Sequence, residues 1–267
     1  MNPKQFPWNK AIIAFDTCAL LPLYQKSKSD IDKFEEFLEK HSNRLFLPYH
    51  VIKEFVRHKD SKIFTDNETK GQSLKNLISQ IREKLGQFGQ MYYCETKLKQ
   101  IRRKILIVSK KLDELEDIYN LASRKDNITG ILDFHFHKKI GADLDQDDIA
   151  NVVNKYDYRR HCNIPPGISD NNKSRNAPGD LFIWIELQKK AQDAKKDIIL
   201  ITNETNDKKQ DWLFKKNGKF ITMPGLDKEF YAFTKQHFYA CCYEEVFGAA
   251  ADTVAREDAD ATESEAP

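Results

Sequence analysis

The sequence predicts an α/β protein with a central parallel sheet and an inserted helical hairpin, on three observations. The first sixty residues alternate between short apolar runs and amphipathic segments, in the order strand, helix, strand, helix. Residues 180–204 repeat this pattern as a helix followed by a buried strand. Between these two parts, apolar residues recur every three or four positions, which is typical of paired helices.

The first half of the sheet is predicted from the opening segments of the chain. Residues 11–15 form a continuous apolar run that ends abruptly at Asp16. An amphipathic helix at 31–40, a second strand at 44–47 and a helix at 49–59 follow. Continuous apolar strands separated by helices are typical of parallel sheets that are covered on both faces.

The hairpin is predicted from two apolar seams. The first comprises Leu74, Ile78, Ile81, Leu85, Phe88 and Tyr92, and the second comprises Leu98, Ile101, Ile105, Val108, Leu112 and Leu115. The apolar spacing of the first seam does not continue in phase into the second, so a break between the two helices is expected near residues 93–97. The second helix is basic near its start, where Arg102, Arg103 and Lys104 are adjacent. A solvated outer face is the simpler interpretation, and a phosphate-gripping arm is plausible only if the remainder is a nuclease.

The middle of the chain predicts less regular structure. Residues 126–146 have the composition of a loop, and its His135 and His137 lack a third metal ligand nearby. A helix is expected at 147–161, and an ordered loop at 163–178 then leads toward the next helix.

The second half of the sheet is predicted from the segments that follow. An acid, Asp180, opens a helix that leads into a buried strand at 198–201. A short edge strand at 219–222, a helix at 224–235 and a last strand at 237–243 complete the predicted domain.

Charge is spread unevenly along the 267 residues, whose net charge is +2. The segment 248–267 has six acids and one base, and it predicts a disordered acidic tail. The first 247 residues carry 42 basic and 35 acidic residues. A mildly basic body permits a polyanionic partner without requiring one.

The cysteine and hydropathy patterns predict a cytoplasmic protein. There are five cysteines, and most of them fall within apolar or periodic runs, so we expect reduced thiols. Residues 1–10 are polar and do not resemble a signal peptide. The apolar runs are too short to span a bilayer, so no membrane association is expected.

Four acids are predicted to lie at the same edge of the sheet. Asp16 and Glu204 follow strands, Glu54 lies early in the helix after the second strand, and Asp180 opens a helix. If the strands are parallel neighbours, these carboxylates converge at one edge, where ligands of α/β proteins usually bind. Crowded carboxylates repel, and Mg²⁺ or Mn²⁺ is the usual compensation. Taken singly, an acid in such a position is more often a helix or strand cap than a metal ligand.

Several motifs resemble the PIN-domain nuclease superfamily. Residues 12–21, read Ile-Ile-Ala-Phe-Asp-Thr-Cys-Ala-Leu-Leu, resemble the opening strand of these nucleases, and residues 47–55 resemble their second acidic motif. Residues 165–170, 179–184 and 202–204, with Asp211-Trp212, resemble the bacterial PIN-like branch that carries a long helical insertion. The resemblance covers residues 11–248 and is weakest between 59 and 157.

The resemblance implies a three-layer α/β/α sandwich and a metal-dependent nuclease. It divides the chain into a PIN-like domain at 1–60 and 161–247, a helical insertion at 61–160 and the tail. The implied metal-binding and catalytic acids are Asp16, Glu54, Asp180 and Glu204, with Mg²⁺ or Mn²⁺ as cofactor.

Two departures from the family pattern affect this assignment. Cys18 stands where Asn is usual after Asp-Thr, and Glu204 stands where the fourth Asp is usual. Asp207 is an alternative fourth acid, while Asp170 and Asp211 are candidate outer-shell or alternative acids.

The function expected from the sequence is a metal-dependent endonuclease acting on RNA more readily than on DNA, with Arg102, Arg103 and Lys104 binding the strand. One alternative is a catalytically weak PIN-like module that binds nucleic acid or protein. Another is a structural protein that binds a partner or a second copy through its hairpin. The resemblance also leaves open an inhibitory or defence-system protein partner.

Overall fold

A computed structural model describes residues 5–88, 95–123, 126–168, 178–205 and 211–248. The strands are β1 Ile12–Phe15, β2 Leu45–Phe46, β3 Ile198–Thr202, β4 Leu213–Lys216, β5 Lys219–Thr222 and β6 Phe238–Cys242. The helices are α1 Thr17–Leu20, α2 Lys28–Lys40, α3 Tyr49–Phe88, α4 Glu95–Ser123, α5 Asn127–Phe136, α6 Gln146–His161, α7 Gly179–Ala194, α8 Leu226–Thr234 and α9 Tyr243–Phe247.

The centre of the fold is a parallel sheet with the strand order β2-β1-β3-β6. Every residue of β1 and β3 is buried, as continuous apolar runs predict for strands covered on both faces. In their register Phe15 is paired with Ile201, so β1 and β3 end at the same edge of the sheet. The residues that follow these two strands are therefore neighbours.

Helices cover both faces of this sheet. On one face, Phe15 packs edge-on against Phe34 of α2 and Phe136 of α5, with ring centroids 5.5 and 6.0 Å apart. On the other face, Phe238 packs against Trp184 of α7 and Phe230 of α8, at 4.9 and 5.4 Å. The predicted three-layer α/β/α sandwich is confirmed.

The helix after the second strand is much longer than the sequence predicts. It was expected to end near residue 59, but α3 continues to Phe88. Residues 58–70 contain neither proline nor glycine, so nothing in the local sequence stops the helix. Contacts divide the described residues into two compact units, one within Met1–Arg57 and Ile131–Pro267, and the other within His58–Gly130. Of the predicted break at 93–97, residues 93 and 94 lie outside the described residues, and residues 95–97 belong to the start of α4.

The segment predicted as a loop at 126–146 begins with a helix, α5. Asp126 caps it by accepting a hydrogen bond from the backbone N–H of Thr129, at 2.9 Å. Leu132 and Phe136 are buried on one face of this helix, and His135 is buried as well. The loop prediction was wrong because the polar residues 137–148 outweighed a short amphipathic run before them.

The predicted edge strand at 219–222 belongs to a separate two-stranded sheet. It pairs with β4 in an antiparallel hairpin whose turn is Asn217-Gly218, both with positive φ. Asn-Gly is the preferred sequence for this turn because both positions adopt left-handed backbone conformations. This signal was present in the sequence and predicts β4, which sequence reasoning missed.

Candidate functional site

Asp16 is a buried carboxylate at the carboxyl edge of the parallel sheet. It follows β1 directly and is only 6% exposed. Its Oδ2 accepts hydrogen bonds from Thr202 Oγ1, at 2.9 Å, and from Cys18 Sγ, at 3.0 Å. Burial raises the pKa of Asp16, the two side-chain donors oppose this effect, and the nearby charge of Glu54 adds to it.

Cys18 acts as a hydrogen-bonding residue in this position. Its thiol donates to Asp16, lies 3.1 Å from Thr202 Oγ1 and accepts a bond from the backbone N–H of Asn203. Burial, followed by the charge of Asp16, raises the pKa of the Cys18 thiol well above its usual value. The cysteine therefore remains a neutral donor to the carboxylate.

Glu54 lies beside Asp16, in the second turn of α3. Thr17, the residue after Asp16, donates from its hydroxyl to Oε2 of Glu54 at 2.9 Å. Pro48 precedes the helix and fixes where it begins, which places Glu54 at the end of β1. The strand end and the helix start therefore bring together two acids that are 38 positions apart in the sequence.

The first turn of α7 approaches the same place. A methyl group at Gly179 would lie 3.2 Å from Oε1 of Glu54 and 3.7 Å from Nε2 of His50. The lack of a side chain at Gly179 thus permits the close approach. Asp180 follows in this first turn and is half-buried. Three of the four predicted acids are consequently contributed by elements that meet at one edge of the sheet.

Glu204 follows β3 at the same edge, but its carboxylate binds its own loop. Oε1 accepts from the backbone N–H of Asp211 at 3.1 Å, and Oε2 accepts from those of Trp212 and Leu213 at 2.8 and 3.4 Å. Burial raises the pKa of Glu204 to about 7 despite these bonds, with smaller contributions from the charges of Asp211 and Asp16. Carboxylate oxygens have lone pairs beyond those used here, so Glu204 keeps acceptor capacity for a further partner.

Asp211 has a clear anchoring geometry. It is fully buried, and its Oδ1 accepts hydrogen bonds from the backbone N–H groups of Gly167 and Ile168, at 2.6 and 2.8 Å. It thereby ties the start of β4 to the loop after α6. The two other candidate acids, Asp170 and Asp207, lie outside the described residues.

Sequence reasoning missed Glu186, a buried acid in α7. Its carboxylate accepts hydrogen bonds from the backbone N–H groups of Tyr49 and His50, the first residues of α3. It therefore caps the helix that carries Glu54 and fixes it against α7. Burial raises the pKa of Glu186 to about 7, which the two backbone donors only partly offset. An acid within the apolar run Leu-Phe-Ile-Trp-Ile-Glu-Leu was the signal for such a role.

His50 is a second residue that sequence reasoning missed. Its ring stacks on Phe182 of α7, with centroids 4.9 Å apart and planes inclined by 24°. Burial lowers the pKa of His50, and the charge of Glu54, one helical turn further on, opposes this effect. The imidazole Nε2 would lie 3.7 Å from a methyl group at Gly179, so His50 borders the first turn of α7.

The chemistry of these side chains fits a hard divalent cation. Asp16 and Glu54 present carboxylate oxygens, the preferred ligands of Mg²⁺ and Mn²⁺, and their mutual repulsion is what a cation would relieve. In the described part of the chain, no group of three or more His, Cys, Asp or Glu side chains is already arranged as a metal cage. Mg²⁺ commonly binds through only one or two carboxylates, together with water and substrate phosphates.

Comparison with protein-family models identifies the family of this chain. The family model described as a PIN-like domain matches residues 12–227, and the chain belongs to this family. The resemblance identified from the motifs is therefore confirmed. PIN-like domains are generally nucleases that act on nucleic acids, typically with divalent metals. Comparison with curated proteins and with solved structures gives no match.

Among the described residues, every helix is too short or too polar to cross a bilayer.

The predicted nucleic-acid-binding residues Arg102, Arg103 and Lys104 are exposed on α4, in the unit formed by His58–Gly130.

Proposed function

We propose that this protein is a metal-dependent endonuclease that hydrolyses phosphodiester bonds in RNA. The observation that carries the proposal is the position of Glu54, which accepts a hydrogen bond from Thr17, the residue after Asp16, beside the first turn of α7. The family of this fold consists generally of nucleases. The basic balance of the first 247 residues supports a polyanionic substrate.

In this proposal, Asp16, Glu54 and Asp180 hold the cation, and Glu204 supplies a fourth carboxylate. A bound Mg²⁺ or Mn²⁺ would lower the pKa of water and stabilise charge on the phosphate. Thr202 and Cys18 orient Asp16 and keep its charge stabilised, while Thr17 does the same for Glu54. Glu186 holds the start of α3 in place, so that Glu54 remains within reach of Thr17 and the end of β1.

The test is cleavage of labelled single-stranded RNA and DNA with Mn²⁺, in the presence and absence of a chelator. We expect metal-dependent cleavage of RNA, and a loss of at least about 100-fold in Asp16→Asn and Glu54→Gln. Asp193→Asn is the matched control, since this exposed acid near the end of α7 lies far along the helix from Gly179. Equal cleavage by Asp16→Asn and Asp193→Asn would overturn the proposal.

A second function is favoured by the engagement of Glu204 with its own loop and by the cysteine at position 18. In that case the protein binds RNA without cutting it, since one predicted ligand serves the fold instead. RNA binding that survives chelation, without cleavage at any Mn²⁺ concentration, supports this alternative. Cleavage that depends on Asp16 excludes it.

A further inference from the structure

A cleft lined by three arginines lies between the two helices of the hairpin. Its volume is about 420 Å³, and Arg82, Arg102, Arg103 and Leu106 form its walls. Arg82 belongs to α3 and the other three residues belong to α4, so neither helix forms the cleft alone. All four residues lie in the compact unit His58–Gly130.

Two of the arginines are held in place by bonds between the helices. Arg82 donates from Nη2 to Ser109 Oγ at 2.8 Å, and Arg102 donates from Nη2 to the carbonyl oxygen of Leu85 at 3.2 Å. Ser109 is itself fixed by a bond to the carbonyl of Ile105. A guanidinium has five N–H donors, so each of these arginines can hold the helices together and still donate to a ligand.

The positive charge around the cleft favours an anionic ligand. Three arginine side chains line this space, and an arginine cannot lose its proton in a protein, so positive charge is concentrated here. Residues 95–112 add to the positive field, with seven basic residues and one acid, Glu95. The planar guanidinium matches the geometry of phosphate oxygens and binds them through two parallel bonds.

We propose that this cleft binds the sugar-phosphate backbone of single-stranded RNA. That the ligand is RNA rests on the proposed function. The preference for a phosphodiester rests on the paired N–H donors of the arginine side chains. Leu106 is half-exposed in the same cleft and provides an apolar contact for a sugar or base next to the phosphate. The sequence prediction of Arg102, Arg103 and Lys104 is thus refined, because Arg82 joins the first two while Lys104 does not line the cleft.

The experiment measures RNA binding separately from cleavage. The full chain carrying Asp16→Asn is titrated against a fluorescent single-stranded RNA that is at least as long as α4. The titration is done with chelator present and at several salt concentrations. Arg103→Gln is the principal variant, since Arg82 and Arg102 also join the helices. Lys104→Gln is the matched control, because it removes the same charge from the adjacent residue.

We expect Arg103→Gln to weaken RNA binding about tenfold at low salt and to reduce the slope of log affinity against log salt by about 0.7. Lys104→Gln should weaken binding less than about twofold, because it removes only a long-range electrostatic attraction that salt screens. Arg103→Lys should recover only part of the loss, since it restores charge without the fork. Unchanged melting temperatures exclude unfolding as the cause.

Two results overturn the inference. One is an equal effect of Arg103→Gln and Lys104→Gln, which would mean that charge alone attracts RNA. The other is tighter binding to a peptide of sequence 248–267 than to RNA, which would assign the cleft to an acidic protein segment. If the wild-type chain binds RNA through Arg103 without cutting it, the inference about the cleft is supported and the nuclease proposal is contradicted. If it cuts RNA but both variants bind alike, the reverse holds.

Discussion

At the scale of single residues, the site depends on how Asp16 is held. Its Oδ2 receives hydrogen bonds from a hydroxyl on the neighbouring strand and from a thiol two positions further along its own chain. Both donors stabilise the charged carboxylate against the cost of burial. The cysteine at position 18 therefore supplies one of the two side-chain donors to this carboxylate.

Thr202→Val tests the contribution of one donor. Valine has nearly the same shape as threonine, but it cannot donate to Asp16, so metal-dependent RNA cleavage should fall about tenfold, as is usual for residues that orient metal ligands. Thr202→Ser retains the hydroxyl and should stay near the wild-type rate. Equal rates for the two variants, with both folded by circular dichroism, would contradict the role given to Thr202.

At the scale of elements, the site is formed where β1, α3 and α7 meet. Each element is positioned by a local feature: Pro48 and Glu186 fix the start of α3, and Gly179 permits α7 to approach Glu54. The distances between Glu54 and Gly179 leave little space for added atoms. The junction should therefore be sensitive to small changes in volume.

Gly179→Ala tests this close approach. The new methyl group would lie 3.2 Å from Oε1 of Glu54, so that carboxylate must shift, and we expect cleavage to fall about tenfold while stability is maintained. Gly130→Ala is the control, because that helical glycine has nothing within 4 Å of the added methyl. The control should gain up to about 1 kcal/mol of stability and keep full activity. Similar activities in both variants would contradict a tight junction.

Some of these elements could be predicted from the sequence, and others could not. Asp16 was placed correctly because a continuous apolar run ends at it, which is a local signal. The capping role of Glu186 could not be predicted, since its partners lie more than 130 positions away and depend on the tertiary fold. The hairpin at Asn217-Gly218 was predictable from its turn sequence and was overlooked. The function of Glu204, Asp170 and Asp207 as fourth ligand stays a prediction.

At the scale of the whole molecule, the buried acids make stability depend on pH. Burial raises the pKa of both Glu186 and Glu204 to about 7 in the folded state. An acid whose pKa is higher in the folded state favours folding at low pH, and this contribution is lost as the pH rises from about 4.5 to about 7. The protein should therefore be less stable at pH 8 than at pH 5 from this cause.

Glu186→Gln isolates one part of this effect. Glutamine cannot ionise, so relative to wild type the variant should gain stability between pH 5 and pH 8, by up to about 3 kcal/mol. Urea unfolding of both proteins at the two pH values measures the difference. If the difference between the proteins is the same at both pH values, the pKa of Glu186 is not raised in the folded state.

The central claim is that Asp16 and Glu54 together hold a divalent cation, and calorimetric titration with Mn²⁺ tests it most directly. We predict saturable binding to the wild-type protein below millimolar concentrations, loss of that binding in Asp16→Asn and Glu54→Gln, and full retention in Asp193→Asn. Binding of equal strength in all four proteins, or none in the wild type at millimolar Mn²⁺, would contradict it.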